Sequence, residues 1–294
     1  MLNSIPKRDD VQVIVVDDNS DPNIVDFTHF PGLNKHNTEV YFTKEGKGPG
    51  AARNFGLTKA KGDWILFADA DDYYDTENLL YLLDNSVSSN FDVIFFGVNN
   101  SFYGFEKDSR KIRYCDSQQK LNLLKVLAPW NKIIRHHFLT DNKIEFDNLF
   151  YCEDQIISAR LVCECQRVGL YANTVYWHIS NQDSLSKTSN LQRLAEGYLV
   201  EIKFNKYLKN RNLLSLTCRN YLLGGLLYRI YCISPWRYRC YVLYEFILFG
   251  WDIFWADYSE SCVQRCIHPN IFRQLFDPIR VKLGYIRKKV KNAN

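Results

Sequence analysis

The sequence predicts an α/β protein with a doubly wound, mostly parallel sheet, followed by a helical C-terminal region. Three observations support this fold class. Short apolar runs alternate with helical segments through the first half of the chain. A glycine-rich loop at residues 46–50 precedes one of these helices. The acidic cluster at residues 69–72 follows an apolar strand directly, at the sheet edge where open α/β folds bind ligands.

The first elements follow from β-branched runs and turn residues. Residues 11–16 predict a strand that ends in the turn sequence Asp-Asp-Asn-Ser, and residues 40–42 predict a weaker second strand. Pro49 suits the first turn of a helix, which we expect to end near Gly62. Residues 64–68 then form the apolar strand before the acidic cluster.

The next elements are a capped helix and several strands. We expect Asp75 to cap a helix that carries four leucines, and residues 93–96 predict a buried strand. Residues 98–120 show no clear element. Beyond them the pattern predicts the following: a helix from Leu121, a turn at 129–132, a short strand, a helix from near Glu153, a strand at 171–179 and a polar loop at 180–189.

The last third of the chain has a different character, so we predict one domain at 1–190 and a second region at 191–294. Residues 191–209 and 213–233 have helical patterning. Residues 241–255 are aromatic and apolar but contain two acids, and they fall short of the ~20 apolar residues of a membrane span. Residues 279–291 are basic without an acid, which fits either contact with an anionic membrane or a solvated tail.

Composition excludes several classes of protein. The net charge of +4 is too small to indicate nucleic acid as a partner. Nine cysteines without a CxxC pair argue against zinc and disulfide frameworks and fit a reducing compartment. The N-terminal residues lack the features of a signal peptide. We therefore expect a cytoplasmic protein, with peripheral contact at the cytoplasmic face of the membrane as an open alternative.

The acidic cluster indicates metal chemistry. Carboxylates this close repel one another unless something neutralises them, and a divalent cation such as Mn²⁺ or Mg²⁺ does so while also binding phosphates. The alternative is a solvated turn before a helix N-terminus, where acids are also favourable.

Five sequence blocks, in this order, resemble family 2 glycosyltransferases of the GT-A fold. They cover about residues 10–190 and comprise residues 13–20, 48–54, 67–72, 129–134 and 152–154. The resemblance implies transfer of a sugar from a nucleoside diphosphate, UDP by the family's habit, to an acceptor hydroxyl with inversion. It also implies synthesis of a bacterial surface polysaccharide, with a saccharide or a lipid-linked acceptor at the inner membrane.

The resemblance also implies roles for single residues. On the donor side, Asp72 would bind the metal directly, Asp71 would contact the metal or the ribose, and Asp69 would support them. The nucleotide-binding residues implied by the match are these: Asp17, Asp18 (to the uracil ring), Arg53 and Asp71.

On the acceptor side, Asp154 would take the proton from the attacking hydroxyl, with Glu153 beside it. The acceptor or loop residues implied are these: Trp130, Asn131, Lys132, His178, Ser184 and Ser186. His178 could be an extra metal ligand or a histidine held by packing.

Alternatives remain open at this point. Asp17 and Asp18 could only shape a turn, Arg53 could pair with Glu45 on the surface, and Asp154 could simply begin a helix. The family's first strand has no counterpart here, so we expect the active enzyme to carry about 20–30 further N-terminal residues. That departure also motivates a second hypothesis, a non-catalytic remnant that binds membrane or partner proteins. A nucleotidyltransferase is a third and weaker hypothesis. A dinucleotide-binding protein is not expected, because the sequence lacks the motif GxGxxG.

Overall fold

A computed structural model describes residues 1–87, 89–99, 111–124, 126–147 and 149–179, with scattered positions from 196 to 213 and residue 240. The chain divides into two units, Met1–Thr188 and Ser189–Asn294. The strands and helices with defined bounds lie in the first unit. In the second, helical residues are described at scattered positions between 196 and 208. The other predicted C-terminal segments lie outside the described residues. The assignment of residues 1–190 to one domain and of residues 191–294 to a second region stays a prediction.

The first two strands form a small parallel sheet with a helix packed on it. Strands β1 (Val13–Asp17) and β2 (Thr38–Phe42) pair in parallel, and helix α1 (Pro49–Lys59) packs on β1. Gly56 of α1 faces β1, and a Cβ there would be in ordinary contact with the Val16 side chain, at 3.6 Å. Pro49 stands in the first turn of α1, as predicted from the sequence.

The remaining strands form a second, six-stranded sheet. They are β3 (Trp64–Leu66), β4 (Tyr73–Tyr74), β5 (Val93–Val98), β6 (Arg113–Tyr114), β7 (Lys132–Arg135) and β8 (Val168–Trp177). The order is β3-β7-β5-β8-β4, with β6 also paired to β8.

This sheet is mixed, which corrects the expectation of a mostly parallel sheet. In the described residues only β1·β2 and β5·β8 are parallel, and the other four pairings are antiparallel. β7 lies antiparallel between β3 and β5. The residue pattern of a buried strand is the same in either direction, so its direction depends on how the chain returns to the sheet.

The other helices are α2 (Thr76–Ser86), α3 (Ser117–Leu123), α4 (His136–Asp141) and α5 (Asp154–Glu164). Asp75 caps α2 by accepting a hydrogen bond from the Asn78 amide, which confirms that prediction. The helix predicted from Leu121 begins earlier, at Ser117. Asp116 and Gln119 form a reciprocal capping box there, a signal that the sequence carries within a stretch otherwise without a clear pattern.

β5 is the centre of the core, and helices cover both of its faces. All six of its residues are buried. Ile94 and Phe96 belong to a cluster with Leu79 and Leu82 of α2. On the other face, Lys132 of β7 pairs in register with Phe95 and reaches Ser158 of α5. The start of α5 is therefore held against the sheet.

A bulge shapes the end of β8. The register between β5 and β8 shifts on both sides of Gly97, where a Cβ would lie 2.7 Å from the Asn173 carbonyl oxygen. Bulges bend a strand and turn its side chains. Beyond the bend, Tyr176 and Trp177 pair with β4, directly after the acidic turn.

Among the described residues, no helix has the length and apolar character needed to cross a bilayer.

Candidate active site

The acidic turn at residues 69–72 is bound to the end of β8 through Tyr176. The Tyr176 hydroxyl donates to Asp72 Oδ2 at 2.6 Å and accepts from the Asp69 amide at 3.0 Å. The Ile179 amide donates to Asp72 Oδ1 at 2.6 Å. Asp72 is only 1% exposed, and burial raises the pKa of its carboxyl despite these hydrogen bonds. Both oxygens of the predicted metal ligand are thus engaged, and its role in metal binding stays a prediction.

Tyr176 is a residue of the candidate site that sequence reasoning missed. The residue pattern places it only within a strand ending in Tyr-Trp-His. Its ring packs edge-on against Tyr74 and stacks on Trp130 at 4.9 Å. A tyrosine within a buried strand generally needs a polar partner for its hydroxyl, and that rule was the signal available in the sequence.

We expect Tyr176→Phe to lower the free energy of unfolding by about 1–3 kcal/mol, because a buried Asp72 oxygen loses its donor. The ring contacts remain in the variant, so the effect isolates the hydroxyl. Urea denaturation measures it. Tyr114→Phe is the control, since Tyr114 is 66% exposed, and it should change stability by less than about 0.5 kcal/mol. Equal effects of the two substitutions would show that the hydroxyl of Tyr176 contributes nothing special.

The other two acids of the turn are more accessible. Asp71 is exposed and Asp69 is half-buried. Within the described part of the chain, no group of three or more His, Cys, Asp or Glu side chains is arranged to hold a metal ion. The donors themselves are carboxylate oxygens, which suit Mg²⁺ or Mn²⁺. Asp71 and Asp69 are the acids of this turn that a cation could reach without displacing Tyr176.

Arg53 connects the acidic turn to the start of α5. From α1, its guanidinium donates to Asp69 at 2.8 Å and to Glu153 at 2.5 Å, and it lies over the Phe146 ring. Burial acts to lower the pKa of Arg53, but the charges of Asp69 and Glu153 outweigh it and raise the pKa. The alternative of a surface pair with Glu45 is wrong, since the cation beside Glu45 is Lys47.

The predicted base and its neighbour begin α5. Glu153 is the residue before the helix and is 7% exposed, and Asp154 is the first helical residue. Burial raises the pKa of Asp154 to about 6, and the charge of Glu153 adds to the rise, while Arg53 and Lys132 oppose it. A carboxyl that titrates just below neutral pH suits general-base chemistry. Cys152, immediately before, has a φ of 61°, a backbone strain that often marks functional sites.

Asp17 and Asp18 organise the loop that leads into α1. Asp18 accepts hydrogen bonds from Thr43 Oγ1 at 2.7 Å and from the amides of Gly46 and Gly48 at 3.1 and 2.6 Å. Asp17 is buried and accepts from the Ser20 amide and hydroxyl. These contacts match the turn-shaping alternative. Contact of Asp17 and Asp18 with the nucleotide stays a prediction.

The predicted acceptor residues separate into two groups. Asn131 and Lys132 are 0% exposed, which corrects the expectation that they contact an acceptor, because no substrate can reach a fully buried side chain. Trp130 and His178 stack on each other at 5.2 Å, and His178 is exposed. Its packing on Trp130 agrees with the alternative of a histidine held by packing. Ser184 and Ser186 lie outside the described residues.

The structure therefore brings six of the predicted residues into two connected groups. Arg53, Asp69, Glu153 and Asp154 share one network of charges. Tyr176 links the turn of that network to Asp72 and to Trp130.

Comparison with known proteins decides the family. The family model described as "Glycosyl transferase family 2" matches residues 1–158, which is more than half of the 294 residues. The chain belongs to glycosyl transferase family 2. The resemblance in the five sequence blocks is thereby confirmed at the level of the family.

Two curated relatives of this family-2 chain modify poly(ribitol-phosphate). A beta-glucosyltransferase of Bacillus spizizenii is 27% identical over 62% of this chain and 29% of its own length. The beta-N-acetylglucosaminyltransferase TarS of Staphylococcus aureus is 28% identical over 62% of this chain and 33% of its own. The chain thus spans about a third of the length of these relatives.

Solved structures confirm the predicted α/β class of the fold. The crystal structure of S. aureus TarS 1–349 superposes with a TM-score of 0.50 at 25% identity, covering 66% of this chain and 56% of that one. The same protein in complex with UDP-GlcNAc superposes with a TM-score of 0.51 at 21% identity, covering 80% of this chain and 78% of that one. At this identity the second likeness concerns the fold alone.

Proposed function

We propose that this chain transfers a sugar from a nucleoside-diphosphate sugar to an acceptor hydroxyl, with inversion, in the synthesis of a bacterial surface polysaccharide. The observation that supports this most is the network around Arg53. It joins Asp69 of the acidic turn to Glu153, next to Asp154. The acid proposed for the donor side is thus linked through one guanidinium to the neighbour of the proposed base. Family membership supports the same reaction class.

Asp154 acts as the general base in this proposal. Its pKa of about 6 leaves the carboxyl ionised at neutral pH and basic enough to accept a proton. As the acceptor oxygen attacks the anomeric carbon, its proton passes to Asp154 and the bond to the diphosphate breaks. One displacement from the face opposite the leaving group inverts the anomeric centre.

The leaving diphosphate needs positive charge beside it. We propose that Asp71 and Asp69 hold a divalent cation there, with Asp72 joining them only if Tyr176 releases it. When bound, such a cation neutralises charge on the departing phosphates. Arg53 holds Asp69 in place, while the loop built around Asp18 leads into the helix that carries Arg53.

The relatives support a choice of donor and acceptor. Solved TarS structures include complexes with UDP and with UDP-GlcNAc, which favours a UDP-linked donor. The names of both curated relatives specify poly(ribitol-phosphate), which favours a saccharide or polyol-phosphate polymer as the acceptor over a lipid-linked one. We propose that the reaction takes place at the cytoplasmic face of the membrane, where nucleotide sugars are available.

Calorimetric titration with UDP and Mn²⁺ tests the proposal. We expect binding that needs the metal and is abolished by EDTA, and we expect Asp71→Asn to weaken it about tenfold or more, because the exposed metal ligand is lost. Asp141→Asn is the matched control, since Asp141 is exposed at the end of α4, and it should bind like the unmodified chain.

Heat no greater than background in the unmodified chain would overturn the proposal and favour the non-catalytic alternative. Equal affinity of Asp71→Asn and Asp141→Asn would remove Asp71 from the metal site. Binding that survives EDTA unchanged would contradict a metal-dependent donor site.

A further inference from the structure

Lys132 is a charged side chain in the middle of the core. It is 0% exposed, and its ammonium nitrogen lies 5.2 Å from the centre of the Phe95 ring. Lysine is almost never fully buried without a charged partner, since removing its charge from water is costly. The position therefore calls for an explanation beyond packing.

The immediate partners of the Lys132 amine are neutral. It donates to the Ala128 carbonyl oxygen and lies 3.4 Å from Ser158 Oγ. The Ser158 hydroxyl donates its own proton to the Leu127 carbonyl oxygen. Ser158 can therefore only accept from Lys132. These contacts suit a charged ammonium and a neutral amine equally well, so they leave the protonation state open.

The acidic group that acts on Lys132 is Asp154. It precedes Ser158 by four residues on α5, so the two side chains lie on the same face of the helix. Burial lowers the pKa of Lys132 to about 7, and the charge of Asp154 acts to raise it. The reciprocal effect lowers the pKa of Asp154. The other charges that act on Asp154 are Glu153, the residue just before the same helix, and Arg53, on α1.

We propose that Lys132 is a positioning residue that sets the charge of Asp154 from within the core. The inference rests on the proposed role of Asp154 as the base. Burial and Glu153 both favour the protonated, inactive form of Asp154, and Arg53 already forms direct ion pairs with Glu153 and Asp69. Lys132 supplies a second cation from beneath the helix. Its contact with Ser158 also holds the first two turns of α5 against β7.

Replacing Lys132 with Met tests the proposal, because Met is unbranched, only one atom shorter than Lys, and uncharged. We expect the acidic limb of the pH–rate profile to move to higher pH by about 1–3 units, the range by which a nearby opposite charge shifts a carboxyl pKa. Activity lost at pH 6 should return at pH 8 or above, which a merely structural defect would not produce.

Lys120→Met is the matched control. The Lys120 amine donates to the Cys165 carbonyl oxygen just beyond the far end of α5, so the control removes a comparable lysine contact away from Asp154. Its acidic limb should stay where it is in the unmodified chain. The proposal would be overturned if the acidic limb of the pH–rate profile stayed in place in Lys132→Met, or if it moved equally in both variants.

A second measurement needs neither turnover nor a folded Lys132 variant. Side-chain NMR of ¹³C-labelled lysine should show one resonance that titrates near pH 7 in the unmodified chain. Its pKa should fall in Asp154→Asn, because the stabilising negative charge is gone. No change in that pKa would overturn the coupling. If the proposed function fails, UDP binding will be missing while this coupling remains, so the two failures are distinguishable.

Discussion

Asp154→Asn should abolish sugar transfer while leaving the fold and donor binding intact. Asn has nearly the same shape as Asp but cannot accept the proton of the attacking hydroxyl. Losing a general base costs about 10²–10⁴-fold in kcat. Transfer from a UDP-linked sugar to the acceptor, measured beside UDP binding by calorimetry, checks the result. Because burial already disfavours the charged form of Asp154, removing that charge should not lower the free energy of unfolding.

The pH profile of the unmodified chain provides an independent check of this role. Asp154 has a pKa of about 6, raised above its usual value mainly by burial. The base is active only when ionised, so kcat should be constant above pH 7 and fall about tenfold for each unit below pH 6. Asp141→Asn, at an exposed acid, should keep both the rate and the profile. Full activity of Asp154→Asn would require another base.

Arg53→Met should be the most destabilising single substitution at this site. It leaves Glu153, with a side chain 9% exposed, and the half-buried Asp154 without the nearby cation, and it releases Asp69 of the acidic turn. Removing one partner of a buried ion pair costs about 3–5 kcal/mol because a buried charge is left uncompensated. Urea denaturation at pH 7 should show a loss of that size, and donor binding should weaken with it.

Arg8→Met is the matched control for Arg53→Met. Arg8 also contacts two acids, Asp10 and Asp84, but their side chains are 61% and 59% exposed. Exposed ion pairs contribute about 0–1 kcal/mol, so this substitution should change the free energy of unfolding little. Similar losses in the two variants would mean that the Arg53 network has no special role in stability.

Local chemistry makes several elements predictable from the sequence. The β-branched run before Asp17 and the glycine-rich loop before Pro49 form a strand and a helix where expected. The cap at Asp75 follows from residue type alone. Where the local pattern misled, a signal was sometimes present, as in the capping box of Asp116 and Gln119. Such features depend on neighbours within a few residues.

The contacts of the candidate site could not be predicted in that way. Arg53 and Glu153 are separated by 100 residues, and Tyr176 and Asp72 by 104. Nothing near Arg53 in the sequence distinguishes this pair from a surface pair with Glu45. The antiparallel direction of β7 and the complete burial of Lys132 also result from contacts between distant parts of the sequence. Each depends on which distant segment packs against it.

The sequence by itself determined the family, the α/β class and the order of the acidic and glycine-rich segments, because periodicity and turn chemistry act over a few residues. Only the tertiary structure decided which charges meet. Removing a charge from water is tolerable only beside a compensating group, and packing between distant elements determines whether that group is present. For that reason Asp72 is bound by Tyr176, Arg53 lies between two acids, and Lys132 lies in the core rather than at the acceptor.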